Sequence, residues 1–223
     1  GKAFNISTFG ESHGKGIGVV IQGCPPGIRL DEPMIQKALD RRKPGRGIAG
    51  TRRKEPDQAQ ILSGIFEGRT TGTPLMVFIA NKDARSKSYA EIARLFRPGH
   101  GDYSYHQKYG IRDYRGGGRA SARETAARVA AGAVAMRILE TRSIEITAFT
   151  RALGGIQAQT WNRLDDKEKN DLACPDLDAA DQMARRIASV KKRGDSLGGV
   201  VEVKAFKVPA GLGDPVFDKL DAD

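Results

Sequence analysis

The chain has 223 residues, of which 39% are hydrophobic and 29% charged, a balance that permits a globular core and argues against wholesale disorder. Its formal net charge of +10 points to an acidic partner, whether nucleic acid, an anionic membrane or an anionic metabolite. Cys24 and Cys174 lie far apart without ligand-like spacing, so a disulfide framework and a zinc site are both disfavoured and a reducing compartment is expected.

In chain order, Gly16 to Ile21 is a glycine-studded apolar run ending at Gly23-Cys-Pro-Pro-Gly27, which predicts a strand and then a turn. Asp31 and Pro33 mark a helix start, with Ile35, Ala38 and Leu39 on one face and a stop before Pro44-Gly45. Ile61 to Phe66 and Leu75 to Ile79 read as buried strands. A long helix follows Ser121, its apolar face made of Ala126, Val129, Ala130, Ala133, Val134 and Ile138. Ile144 to Phe149 is a strand. Pro175-Asp176 opens another helix carrying Met183, Ile187 and Val190, and Gly199 to Phe206 is a final strand. Strands and helices interleave without a regular βαβ period, which favours α+β over a doubly wound parallel sheet. Pro25-Pro26-Gly27-Ile28 and Pro209-Ala210-Gly211-Leu212 each follow a strand and precede a charged amphipathic start. Ordinary turn chemistry accounts for that pair, and so does an internal duplication whose second helix begins near Asp218.

The densest chemistry runs from Arg112 to Glu124, where four arginines and three consecutive glycines precede the long helix. Ser121-Ala-Arg-Glu124 fits a capping box. Unpaired N–H groups at a helix start, together with forked arginine donors, bind phosphate and carboxylate groups. This is the predicted seat of a polyanionic small molecule. Gly45 to Gly50 matches Gly-x-Gly-x-x-Gly, but a helix precedes it and Pro56 follows, the reverse of the dinucleotide-fold context. Seven basic residues between Arg41 and Lys54 make that stretch either a solvated charge run or a flap over an anion.

Of the three histidines, His13 and His100 sit in short glycine-flanked polar loops and are candidates for proton transfer, whereas His106 reads as surface decoration. Ser12 and His13 are adjacent, an arrangement unsuited to a serine nucleophile and its base. Aromatics are only 6%, no recognition module is present, and the arginines cluster at turns. A pocket for a compact anion is favoured over a nucleic-acid track.

Phe9-Gly-Glu-Ser-His-Gly14, Asp40-Arg-Arg-Lys-Pro-Gly45, Arg53-Lys-Glu-Pro-Asp57, Phe96-Arg-Pro-Gly-His-Gly-Asp-Tyr103 and the run from Tyr109 to Thr125 together resemble chorismate synthase, in order and across essentially the whole chain. The resemblance implies a β-α-β sandwich with internal duplication, one domain over residues 1–223, and a cytoplasmic homotetramer without nucleic-acid or membrane partners. It implies a carbon–oxygen lyase that removes phosphate and a C6 proton from 5-enolpyruvylshikimate 3-phosphate, giving chorismate with reduced FMN and no net redox change. No metal is implied. On the same basis His13 lies near the departing phosphate and His100 by the flavin ring. Arg119, Ala120 and Ser121 match the FMN-contacting stretch, and Ser12, Arg42 and Arg123 the substrate contacts. Arg42, with Arg46, matches a position assigned to NADP, making NADPH a candidate reductant. Ile48 stands where bacterial members carry a second arginine, so reduced flavin is expected from elsewhere. Family chains continue past Asp223 with further flavin contacts and an arginine–aspartate motif. The chain as it stands is therefore expected to be a truncated form that does not turn over. The competing expectations are a flavin-binding module without lyase activity and, further off, a basic nucleic-acid binder.

Overall fold

The computed structural model describes residues 3–43, 55–82, 93–160 and 163–212. The chain divides into two compact units, Gly1–Ile138 and Leu139–Asp223.

The first unit is built on a four-stranded sheet with order β1-β2-β6-β3, comprising β1 (Asn5–Gly10), β2 (Gly16–Gln22), β3 (Ala59–Ser63) and β6 (Leu75–Ala80). Every pairing in it is antiparallel. Alternation in β2 and β6 sends Ile17, Val19, Ile21, Leu75, Val77 and Ile79 into the core, each at most 1% exposed. The expected strand over Ile61 to Phe66 is instead two pieces. Gly64 takes a left-handed φ of 83° and ends β3, and Ile65–Phe66 (β4) turns away to pair with Arg69–Thr70 (β5).

Helix α1 (Glu32–Arg42) starts as its sequence predicts. Asp31 accepts the Met34 N–H at 3.0 Å, Pro33 occupies the first turn, and Ile35 and Leu39 are fully buried. Helix α2 (Asp102–Tyr109) has no counterpart in the sequence reading, and neither has β1. Helix α3 (Thr125–Glu140) buries Ala126, Ala127, Ala130, Ala131 and Val134 in the same core as β2, β6 and α1. Alanine keeps that helix close to its neighbours, because a methyl group adds little thickness to the packed layer.

The second unit holds an antiparallel sheet of order β8-β7-β9, made of β7 (Glu145–Leu153), β8 (Ile156–Gln157) and β9 (Gly199–Phe206). Helix α4 (Leu177–Lys192) places Met183, Ala179 and Ala180 in a small core with Ala158 and Cys174. Ile187, expected on that face, is half-buried. The α+β class holds, since every described strand pairing is antiparallel. The two similar turns both carry left-handed glycines, Gly27 at φ 81° after β2 and Gly211 at φ 84° after β9. The second copy's helix near Asp218 lies outside the described residues.

Asp176 caps α4 by accepting the Ala179 N–H at 3.0 Å, and it also accepts Gln159 and Thr160 N–H at 2.8 and 3.1 Å. The Ala179 N–H bond is the largest influence on this carboxyl; partial burial opposes it, and the other two N–H donors leave its pKa lowered. A carboxylate with a depressed folded pKa stabilises above its unfolded value of about 3.9 and loses that contribution as pH falls through the folded one. Asp176→Ala is expected to cost about 1 kcal/mol and to flatten the stability-versus-pH curve below about pH 4, as read by urea denaturation across that range.

Candidate functional site

The glycine-rich stretch does not run straight into an α-helix. Arg115–Ala120 and Ala122–Glu124 are two short 3-10 turns ahead of α3. Gly116, Gly117 and Gly118 have φ of 60°, 85° and 51°, so the backbone here is left-handed three times in succession. The capping box forms only by half. Ser121 Oγ accepts the Arg123 N–H at 3.3 Å, but Glu124 does not reach back to Ser121. Its carboxylate accepts the Thr8 hydroxyl at 2.6 Å and the Arg128 Nε–H at 2.8 Å. Burial alone would raise the Glu124 carboxyl, but these two donors and the Arg119 charge outweigh it and hold its pKa below the usual range.

The glycine turn brings the two candidate histidines together. A methyl group on Gly116 would stand 2.2 Å from His13 Cδ2 and 2.5 Å from His13 Nε2. One on Gly117 would stand 3.2 Å from His100 Cδ2. The rings thus close on adjacent glycines of one turn, although 87 positions separate them in sequence (100 − 13). Ser12, only 2% exposed, donates its backbone N–H to Gly118 O at 3.4 Å and binds the His13 loop to the same turn. His100 Nδ1 lies 3.0 Å from Pro98 O. A carbonyl can only accept, so neutral His100 carries its proton on Nδ1 and leaves Nε2 as the basic nitrogen. The His100 loop is held by buried Asp102, which accepts the Arg97 N–H at 3.0 Å and Arg112 Nη1–H at 3.1 Å.

Arg119 does not extend its guanidinium outward. It donates to Gly10 O at 2.8 Å and to Thr8 Oγ1 at 2.7 Å, riveting the turn to the end of β1. Arg119, Ala120 and His100 line a cavity of about 630 Å³ whose wall also includes Tyr105, Tyr109 and Arg115. Arg115 is paired with Asp113 at 2.8 Å. Burial pushes the Asp113 carboxyl up, but hydrogen bonds and charge from Arg115, with a smaller contribution from His13, leave its pKa lowered.

Behind the turn lies a second cluster. Arg123, 5% exposed, donates Nη1–H to Asp57 and Nε–H to Asn81 Oδ1 at 2.9 Å. Asp57, fully buried at a left-handed φ of 48°, also accepts Arg42 Nη2–H at 2.9 Å. Arg42 in turn donates to Thr125 Oγ1 at 3.1 Å, so it faces inward. Two arginines share one carboxylate, and Arg123 Nη2 is buried with no hydrogen-bond partner among the described residues. Asp57 and Asn81 were not singled out from sequence, although Asp57 ends the Arg53–Asp57 motif. Arg46 and the Gly45–Gly50 loop lie outside the described residues. His106 packs its ring against Phe96, with centroids 5.4 Å apart, and is remote in role from the histidine pair. Among the described residues no cluster of histidine, cysteine and acidic side chains could hold a metal, and no helix is long and apolar enough to cross a membrane.

Two imidazoles thus close on adjacent glycines of one turn, with two arginines sharing a buried carboxylate behind it. A family model described as chorismate synthase matches residues 4–223, and the chain belongs to that family. It is 61% identical to chorismate synthase of Desulfosudis oleivorans, over 100% of this chain and 63% of the relative. Against the enzyme of Desulfatibacillum aliphaticivorans it is 60% identical, covering 100% and 62%, and against that of Methanocella arvoryzae 52%, covering 100% and 60%. A crystal structure of chorismate synthase superimposes with a TM-score of 0.75 at 34% identity, over 95% of this chain and 60% of that one. The chain therefore spans about three fifths of the length of the curated relatives it matches.

Proposed function

We propose that the complete protein carries out the chorismate synthase reaction, the 1,4-elimination of phosphate and the C6 proton from 5-enolpyruvylshikimate 3-phosphate, with reduced FMN and no net redox change. The observation that carries the reading is the closure of His13 and His100 on adjacent glycines of one turn. His13 donates a proton to the departing phosphate, its ring held against the Gly116 turn. Arg123 offers a substrate carboxylate or phosphate its remaining buried Nη2–H donors. Ser12 fixes the His13 loop from behind through its backbone.

The residues present fit a flavin mononucleotide. The cavity beside His100 is lined by Tyr105, Tyr109 and Tyr114 together with Arg112, Arg115 and Arg119, chemistry suited to a flat ring bearing a phosphate. His100, Ala120 and the Arg119 and Ser121 backbone would hold it. When bound, reduced FMN would supply an electron-rich ring to the elimination. His100, with Nδ1 engaged by Pro98 O, would have Nε2 left to hydrogen-bond that ring. Arg42 is engaged by Asp57 and Thr125, and a nicotinamide site therefore forms no part of this proposal. A cytoplasmic homotetramer of one enzyme domain per chain, with its two halves related by duplication, completes the reading.

The test is anaerobic turnover by the complete protein, followed as phosphate release and chorismate absorbance with chemically reduced FMN. His13→Ala and His100→Ala are each expected to lower kcat by roughly 10²-fold or more, the first through phosphate loss and the second through the flavin spectrum. Flavin binding without phosphate release would leave a flavin-binding module in place of a lyase. Wild-type rates in both variants would remove the assignment of the two histidines.

A further inference from the structure

Asn81 stands where the two halves of the site meet, one residue past the end of β6. Its side-chain amide makes three hydrogen bonds. Nδ2–H donates to Glu11 O at 2.9 Å and to Gly14 O at 3.0 Å, the two carbonyls that bracket Ser12 and His13. Oδ1 accepts Arg123 Nε–H at 2.9 Å. The partners fix the amide orientation, because carbonyls only accept and a guanidinium only donates. Asn81 is itself rigidly mounted. Its backbone N–H donates to Lys15 O at 3.1 Å, and the next N–H, of Lys82, donates to the buried Glu55 carboxylate at 3.0 Å.

We infer that Asn81 is a positioning residue that sets His13 relative to Arg123, through one amide bonded to the His13 loop on one side and to the arginine on the other. Neither aspartate nor an aliphatic residue reproduces this. A carboxylate keeps the Arg123 contact but has no proton for Glu11 O or Gly14 O, and it faces both with like partial charge. Side chains that meet substrate need placement to a fraction of an ångström, and a misplacement of about 1 Å costs roughly 10²-fold in rate. The charged groups around the His13 loop include Glu11 and Lys15 on its own segment, Asp113 with its partner Arg115 and Arg119 on the facing segment, and Arg123 behind Asn81. Asn81 adds no charge to that set, and its effect is on geometry.

The inference rests on the lyase reading of the site, and its test separates the two. The His13 imidazole signals of the complete, ligand-free protein are titrated by NMR in wild type, Asn81→Asp and Asn81→Ser, at temperatures below each variant's unfolding. Serine retains one donor and serves where aspartate prevents folding. In Asn81→Ser, which adds no charge, the His13 titration is expected to move while that of His106 does not, and kcat is expected to fall roughly 10²-fold for Asn81→Asp and less for Asn81→Ser. His13 titrating as in wild type in folded Asn81→Ser, or kcat within twofold of wild type, overturns the inference. A wild-type protein that forms no chorismate overturns the reaction, and the His13 titration still decides the role of Asn81.

Discussion

Asp57→Ala is expected to lower the thermal midpoint of the protein by on the order of 10 °C. Removing the carboxylate leaves Arg42 and Arg123 facing each other in a buried space, with Arg123 only 5% exposed. Breaking a buried ion pair by deleting one partner costs about 3–5 kcal/mol, because the remaining charge is stranded. For a chain of this size each kcal/mol shifts the midpoint by roughly 2–4 °C. Asp57→Asn keeps the left-handed backbone without strain, since asparagine tolerates that region, and retains one acceptor. It should fall between wild type and alanine. Differential scanning calorimetry of the three proteins checks the order. A midpoint for the alanine variant within about 2 °C of wild type would show that Asp57 is not the counter-charge holding α1 and α3 together.

Gly116→Ala is expected to abolish turnover while leaving the rest of the protein folded. Two independent costs coincide at this position. The left-handed backbone, φ 60° and ψ 13°, disfavours any β-carbon by about 1–2 kcal/mol. The new methyl would also stand 2.2 Å from His13 Cδ2 and 3.0 Å from Ser12 Oγ, and the 2% exposed serine has no room to retreat. The imidazole must therefore swing away from the turn. With the proposed proton donor displaced, kcat should drop by roughly 10²-fold or more, and circular dichroism should stay native. Gly132→Ala, in the middle of α3 with open space around it, is the matched control and should leave activity unchanged. Retained activity in Gly116→Ala would show that the close approach of His13 to this turn is not needed for the reaction.

Local chemistry made much of this fold legible. Asp31 with Pro33 announces α1, Asp176 announces α4, and alternating branched residues announce β2 and β6, each from contacts within a few residues. Helix α2 escaped because Asp-Tyr-Ser-Tyr-His-Gln-Lys-Tyr has no apolar stripe, and its N-cap, Gly101, carries no capping side chain. Strand β1 escaped because Asn-Ile-Ser-Thr-Phe-Gly is polar and only half-buried, and it is held as an edge strand by β2. His13 and His100 were each singled out by their glycine settings, but their approach to one glycine turn was not legible. Asp57 and Asn81 were not singled out, for a physical reason. Asp57 acts through Arg42 and Arg123, 15 and 66 positions away, and Asn81 through Arg123, Gly14 and Glu11, 42, 67 and 70 positions away, and no local pattern records such pairings.

The rivets between β1 and the glycine turn carry a consequence for how the site comes into being. Arg119 reaches Gly10 across 109 positions, and Thr8 reaches Glu124 across 116. Contacts of such separation are made late, after the chain has already given up the entropy of closing a long loop. On a growing chain His13 emerges 103 residues ahead of Gly116 (116 − 13), and it has no partner turn until that segment has left the ribosome. A nascent chain has no site to fill before that closure.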